Sequence, residues 1–219
     1  MVPFARDRAG LEEAQLGLLL LCFGLGSMLA MPLAGALTTR KGCRFVAIIG
    51  GALICGTLPL LATLSSVPTL AVALAIFGAG LGSIDVAMNV QGLMVEQDHR
   101  RPLMSGFHGL FSLGGIVSAG SMGLMLWAGA SPLLAVSVVV VIVAGILLWH
   151  ARHLLPYGAD DPSAPFTWPT AKVLIIGLLC FIALLVEGAI LDWSAVFLNR
   201  AHQIDLSVAG GAYAVFSLT

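Results

Sequence analysis

The fold of this chain is decided by residues 68–95, which read PTLAVALAIFGAGLGSIDVAMNVQGLMV. The stretch is almost entirely apolar, and Asp85 lies deep inside it. About 20 consecutive apolar residues are enough for a helix to cross a bilayer. A carboxylate inside such a span costs about 2.5 to 3.5 kcal/mol on insertion scales, so it is expected to be compensated or used. We therefore predict a membrane helix, with Asp85 as a functional residue of a transport site.

Similar apolar runs recur along all 219 residues, of which 59% are hydrophobic and 10% are charged. Polar faces at helical spacing, which helices of a soluble protein show, are nearly absent from these runs. The sequence predicts an all-α membrane protein, a polytopic helix bundle of about six full spans and a partial seventh. The predicted spans are Gln15–Leu37, Phe45–Leu64, Thr69–Met94, Leu103–Trp127, Pro132–Leu154 and Ala171–Trp193, and the partial run is Leu206–Thr219.

Loop charges predict the orientation, since Lys and Arg in short loops favour the cytoplasmic side. The basic residues that follow the first and third spans, or flank the segment after the fifth, are Arg40, Lys41, Arg44, Arg100, Arg101, Arg152 and Lys172. The turns at residues 65–68 and 128–131 contain no Lys or Arg. The segment Leu155–Pro169 contains four prolines and little periodic hydrophobicity, which predicts a cytoplasmic linker between two helical bundles.

This orientation places the amino terminus outside, although Arg6 and Arg8 would ordinarily resist translocation. A helix before Met1 resolves the conflict and makes Pro3–Gln15 an external loop. The last apolar run is short for a span, so we expect a fragment at both ends. The predicted domains are an amino-terminal bundle at 1–154 that lacks its first helix, a linker at 155–169, and the start of a carboxy-terminal bundle at 170–219.

Asp85 belongs to a stripe of small and polar residues on one helix face. Steps of four and three residues separate its members, which are Gly78, Gly82, Asp85, Asn89 and Gly92. Glycines at this spacing allow a neighbouring backbone to approach closely. Asn89 can hydrogen-bond a partner helix or a ligand hydroxyl. A packing seam and a proton and substrate site both remain open for this face.

The next predicted span repeats the pattern with Ser105, His108, Ser112, Gly115, Ala119 and Met122. His108 can tune the proton affinity of Asp85 or bind substrate, or it can bond a backbone carbonyl. Ser112 is a substrate-binding candidate, or it bonds its own helix carbonyls. An intramembrane hydrolase using Ser105 or Ser112 with His108 is a remote alternative. No nucleophile motif accompanies these residues, and pairing within one helix gives poor attack geometry.

The sixth predicted span carries two acids. Glu187 lies well inside it and is a second candidate for proton coupling. Asp192 and Trp193 lie near its outer end and are substrate-binding candidates. Their structural alternatives are a solvated carboxylate and an interfacial aromatic anchor.

Metal, cofactor and nucleotide sites are not predicted. The four cysteines show neither disulfide nor zinc spacing. The glycines from Gly78 to Gly82 follow no strand and precede no Gly-Lys-Ser or Gly-Lys-Thr, so they do not form a phosphate loop. We expect no cofactor, no metal and no nucleic-acid partner.

The turn after the first span, residues 35–44, reads GALTTRKGCR. It resembles the cytoplasmic loop between helices two and three of the major facilitator superfamily. That loop carries a glycine, an acid, and basic residues around a second glycine, which Gly35, Arg40, Gly42 and Arg44 match. Thr39 stands in the place of the acid. The resemblance implies that this loop supports a cytoplasmic gate, and that the six spans correspond to helices two to seven.

Residues 80–89, GLGSIDVAMN, resemble helix four of the fucose-type sugar and proton symporters, with Asp85 at the place of an acid and Asn89 at that of an asparagine. Residues 85–120 and 187–194 are similar to a bacterial inner-membrane branch of the superfamily. The resemblance implies proton-coupled secondary transport of a small polar solute, such as a sugar, by alternating access. Its partners would be the solute, protons and the lipid bilayer. The alternative is a truncated, non-transporting fragment or assembly partner.

Overall fold

The computed structural model describes residues 2–158, 168–209 and 211–217, and within them all regular secondary structure is helical. Six of the helices are long and apolar enough to cross a membrane. They are α2 (Glu13–Lys41), α3 (Cys43–Thr63), α4 (Val67–His99), α5 (Met104–Trp127), α6 (Pro132–His150) and α7 (Ala171–His202). The shorter elements are α1 (Val2–Ala9), a 3-10 turn after α6 (Ala151–His153), α8 (Leu206–Ala209) and α9 (Gly211–Ser217).

The predicted all-α bundle is confirmed, although several boundaries differ. Helix α7 continues to His202, nine residues beyond the predicted span end at Trp193, so Trp193 lies inside the helix. The segment predicted as a loop, Pro3–Gln15, contains most of α1 and the first residues of α2. The short run after residue 205 forms α8 and α9. Gly210, residues 218–219 and residues 159–167 of the predicted linker lie outside the described part of the chain.

The described residues form two compact units. The first holds residues 3–109 and those from 131 as far as 158, and the second holds residues 110–130 and those from 168 onward. In the first unit α4 packs along both α2 and α3, and α6 packs against α3. In the second unit α7 contacts α8 and α9.

Glycines bring α4 close to its neighbours. A Cβ atom at Gly78 would run into the main-chain oxygen of Phe23 on α2, and one at Gly82 would lie 2.6 Å from Oγ of Ser27. On the α3 side, a Cβ atom at Gly80 would lie 2.9 Å from the carbonyl oxygen of Gly50. Small residues at such crossings allow backbones to meet without a side chain between them. The predicted glycine seam is therefore present.

A buried cluster joins α2, α3 and α4 near the turn at residues 40–44. Its buried members are Ala34, Val46 and Ala87. Two of these side chains are alanines and the third is a valine, so the three helices approach closely beside the turn. The basic turn at residues 40–44 therefore joins two helices that are packed against α4.

Candidate functional site

Helix α4 brings Asp85 and Asn89 together on one face. The two residues are four positions apart, which makes them neighbours along a helix surface. Nδ2 of Asn89 donates to the main-chain oxygen of Asp85 at 2.8 Å and to its carboxylate Oδ1 at 3.2 Å. Asp85 is exposed and Asn89 is half-buried. The pair therefore presents a carboxylate and an amide to the same space.

The stripe on α4 divides into a packed part and an open part. Gly78 and Gly82 are buried against α2. Gly92 is buried against the start of α5, where an added Cβ atom would lie 3.0 Å from Sδ of Met104. Asp85 and Asn89 lie between these contacts and are not covered by them. Helix packing thus explains the glycines of the stripe. It does not explain Asp85 and Asn89.

His108 bonds to the main chain of its own helix. Its Nδ1 atom lies 3.0 Å from the carbonyl oxygen of Met104. A carbonyl can only accept, so Nδ1 carries a proton in this contact and Nε2 of the neutral ring is left as an acceptor. The predicted structural alternative for His108 is thus present, and Nε2 remains the atom that can meet a ligand. Ser105 and Ser112 are exposed on the same helix.

The acids of α7 do not share one helix face. Glu187, Asp192 and Trp193 are all half-buried in the second unit. Glu187 and Asp192 are five residues apart, which at 3.6 residues per turn separates their directions by about 140°. Asp192 and Trp193 are adjacent, about 100° apart. One small ligand is therefore not expected to contact both carboxylates from a single side of α7.

The basic turn between α2 and α3 is held by contacts that the sequence did not predict. Arg40 is exposed, whereas Gly42 is buried with a φ of 88°. The side chain of Arg44 donates hydrogen bonds to main-chain oxygens of residues 152 and 154. Thr39, in the place of the family's acid, donates through Oγ1 to the carbonyl oxygen of Gly35 at 3.0 Å. No acid therefore stands at residue 39, and among the described residues the turn contacts the segment that follows α6.

Two charged side chains complete helix ends and were not identified as doing so from the sequence. The guanidinium of Arg8 donates to the carbonyl oxygens of Leu61, Ala62 and Leu64 at the end of α3, at 2.7 to 3.0 Å. Oε2 of Glu96 accepts the N–H groups that start α5, those of Leu103 at 2.7 Å and Met104 at 2.8 Å. Helix ends leave such groups without internal partners. The sequence could have indicated these contacts, because Arg8 and Glu96 are charged residues close to predicted helix ends.

The sequence profile of the Major Facilitator Superfamily matches residues 1–219. An uncharacterized MFS-type transporter of Yersinia pestis is 50% identical over 219 residues, which are 100% of this chain and 57% of the relative. Membrane protein MosC of Rhizobium meliloti is 30% identical over 226 residues, covering 99% of this chain and 53% of the relative. The uncharacterized transporter y4wD of Sinorhizobium fredii is 30% identical over 223 residues, covering 99% of this chain and 58% of the relative. No solved structure matches the chain.

The chain spans little more than half the length of these relatives. The profile nevertheless matches it from end to end. Its six long apolar helices and the basic turn after α2 agree with that match. The chain is therefore a multi-pass membrane protein that belongs to the major facilitator superfamily.

Proposed function

We propose that this chain provides part of the proton and solute pathway of a secondary active transporter for a small polar solute, such as a sugar or sugar-like metabolite. The observation that carries the proposal is the Asp85–Asn89 pair, whose carboxylate is exposed between packed glycines. An ionisable side chain on an apolar span that packing does not require favours a functional role. The names of two relatives as transporters support the general class.

The bond between the two side chains suggests how solute and proton are coupled. Asn89 donates to the carboxylate of Asp85. A solute hydroxyl that binds either group competes with this bond and changes the surroundings of the other. Protonation neutralises the carboxylate and lowers the cost of occluding it, which shifts the balance between the outward and inward states of an alternating-access transporter.

The remaining site residues are assigned to supporting roles. Glu187 is the second proton-coupling candidate, and His108, Ser112, Asp192 and Trp193 are substrate-binding candidates. Gly35, Arg40, Gly42 and Arg44 form the gate loop. We assign the protein to a bacterial inner membrane with residues 155–169 in the cytoplasm, because Lys and Arg collect on that side.

Proton uptake tests the proposal. The protein is reconstituted in proteoliposomes, a panel of sugars is added, and native protein is compared with Asp85→Asn. We expect a sugar-dependent signal in the native protein that falls to background in the variant. The matched control is Asp98→Asn, which removes an exposed carboxylate from the end of the same helix and should keep the signal. An unchanged signal and unchanged pH dependence in Asp85→Asn would exclude Asp85 as the coupling residue.

A second candidate function is that of a non-transporting assembly partner. Among the described residues, none of α5 is buried, and the most apolar window of α7 has no buried residue either. Helices that are apolar on all sides require lipid or further helices around them. Reconstitution of the 219-residue chain alone separates the two candidates. Sugar-dependent proton uptake by that chain would contradict the assembly role.

A further inference from the structure

The amino end of α3 is completed by a distant part of the chain. The first N–H groups of a helix have no partner within it, and the residue before α3, Gly42, has no side chain that could cap it. The N–H of Cys43 donates to the carbonyl oxygen of Tyr157 at 3.2 Å, and that of Arg44 donates to Leu155 at 2.9 Å. Carbonyl groups that follow α6 therefore replace a capping side chain.

Side chains of two helices hold the same segment. Nε of Arg44 donates to the carbonyl oxygen of Leu154 at 2.9 Å, and its Nη2 donates to that of Arg152 at 2.8 Å. Oε1 of Gln91 on α4 accepts the N–H of Leu155 at 3.0 Å. The main chain of Leu155 is thus bound on both sides, by α4 through its N–H and by α3 through its carbonyl.

Two glycines allow the segment to lie this close. A Cβ atom at Gly42 would run into the main chain of Pro156, and its φ of 88° lies in a region that side chains rarely adopt. A Cβ atom at Gly158 would run into the carbonyl of Thr38 on α2. The side chain of Tyr157 is 56% exposed. The hydrogen bonds described above therefore all go to the main chain of the segment.

We infer that residues 154–158 form a strap that docks on the ends of α2, α3 and α4, with Arg44 as the positioning residue that holds it. The beginning of the predicted linker is then a fixed part of the first compact unit. A force on the linker would be transmitted through the strap to the start of α3 and to the basic turn. Loss of the strap would leave the N–H groups of Cys43 and Arg44 without these acceptors. This inference does not depend on proton coupling or on the solute.

Hydrogen–deuterium exchange of the protein in lipid nanodiscs tests the strap, because its readout is independent of transport. Arg44→Gln removes the guanidinium donors. We expect the amides of Cys43, Arg44 and Leu155 to exchange about tenfold faster or more, together, while amides in the middle of α3 stay protected. Lys41→Gln, an exposed basic residue of the same turn, and Tyr157→Ala should leave all three amides unchanged. Unchanged exchange in Arg44→Gln, or faster exchange spread evenly through α3 and α4, would overturn the inference.

Gln91→Leu tests the same strap from α4, for the case in which Arg44→Gln does not fold. It removes the acceptor of the Leu155 N–H and leaves Arg44 in place. If the strap docks as a unit, the amides of Cys43 and Arg44 speed up along with that of Leu155. Faster exchange at Leu155 alone would mean that the contacts are independent and that no strap exists.

Discussion

Helices α4 and α7 both are long, apolar and acid-bearing, yet they differ in how they pack. The more apolar of the two is α7, and within its described residues only Val196 is buried. Helix α4 buries Leu70, Ala73 and Ala87 together with several glycines. Apolar character therefore indicates that a helix belongs in a membrane but does not indicate what it contacts. On α4, small residues at steps of three and four mark the faces that meet α2 and α3, whereas the similar stripe on α5 has no buried residue among those described.

The largest expected effect comes from filling the seam of α4. Gly78→Ala places a methyl group against the main-chain oxygen of Phe23, and main chain cannot move aside cheaply, so we expect a loss of about 3 kcal/mol of stability. Gly177→Ala on α7 meets open space and should be neutral or stabilising by about 0.5 kcal/mol, because alanine favours helices over glycine. Thermal unfolding in detergent measures both. If the two variants changed the stability equally, the glycines of α4 would not pack more closely than those of α7.

A medium effect is expected where α4 supports α5. Glu96→Gln replaces the carboxylate that accepts two N–H groups at the start of α5. Bonds to a charged acceptor at a helix amino end are favourable, so we expect a loss of about 1.5 kcal/mol and faster amide exchange at Leu103 and Met104. Asp98→Asn, an exposed acid two residues later, is the control. If both variants unfold at the same temperature as the native protein, the carboxylate of Glu96 does not stabilise the start of α5.

The smallest effect is expected where a glycine faces a side chain rather than main chain. A Cβ atom at Gly51 on α3 would meet a terminal methyl group of Leu147 on α6. Because that side chain can change rotamer, Gly51→Ala should cost about 1 kcal/mol or less. Its unfolding temperature is compared with that of Gly78→Ala. If Gly51→Ala lost as much stability as Gly78→Ala, a side chain and a main-chain neighbour would exclude an added methyl group equally.

Much of the fold follows from the sequence, because spans are set by length and apolar content. The face that carries Gly78, Gly82, Asp85 and Asn89 follows from steps of three and four residues. The hydrogen bond from Asn89 to Asp85 of the same helix was not predicted. The predicted span Ala171–Trp193 ends nine residues before helix α7 does. Apolar content falls there, but helical hydrogen bonds do not depend on apolar side chains and continue to His202.

The contacts of the basic turn could not be predicted in the same way. Arg44 binds carbonyl oxygens more than a hundred residues away, and every residue type carries a carbonyl group. No side-chain pattern therefore marks the partner. The same holds for Arg8, whose acceptors are three carbonyls at the end of α3. The sequence marks Arg8 as a loop charge and Arg44 as part of the gate-loop motif, but it names the partner of neither.

The two ends of α3 have a consequence for the order in which this region opens. Helices ordinarily lose structure from their ends inward, because end residues have the fewest bonds. Here the guanidinium of Arg8 closes one end, and carbonyls of Leu155 and Tyr157 close the other. We therefore expect α3 to fray only after one of these two segments has detached from it. The first loss of structure in α3 would therefore indicate that Arg8, or the segment that holds Leu155 and Tyr157, has already detached.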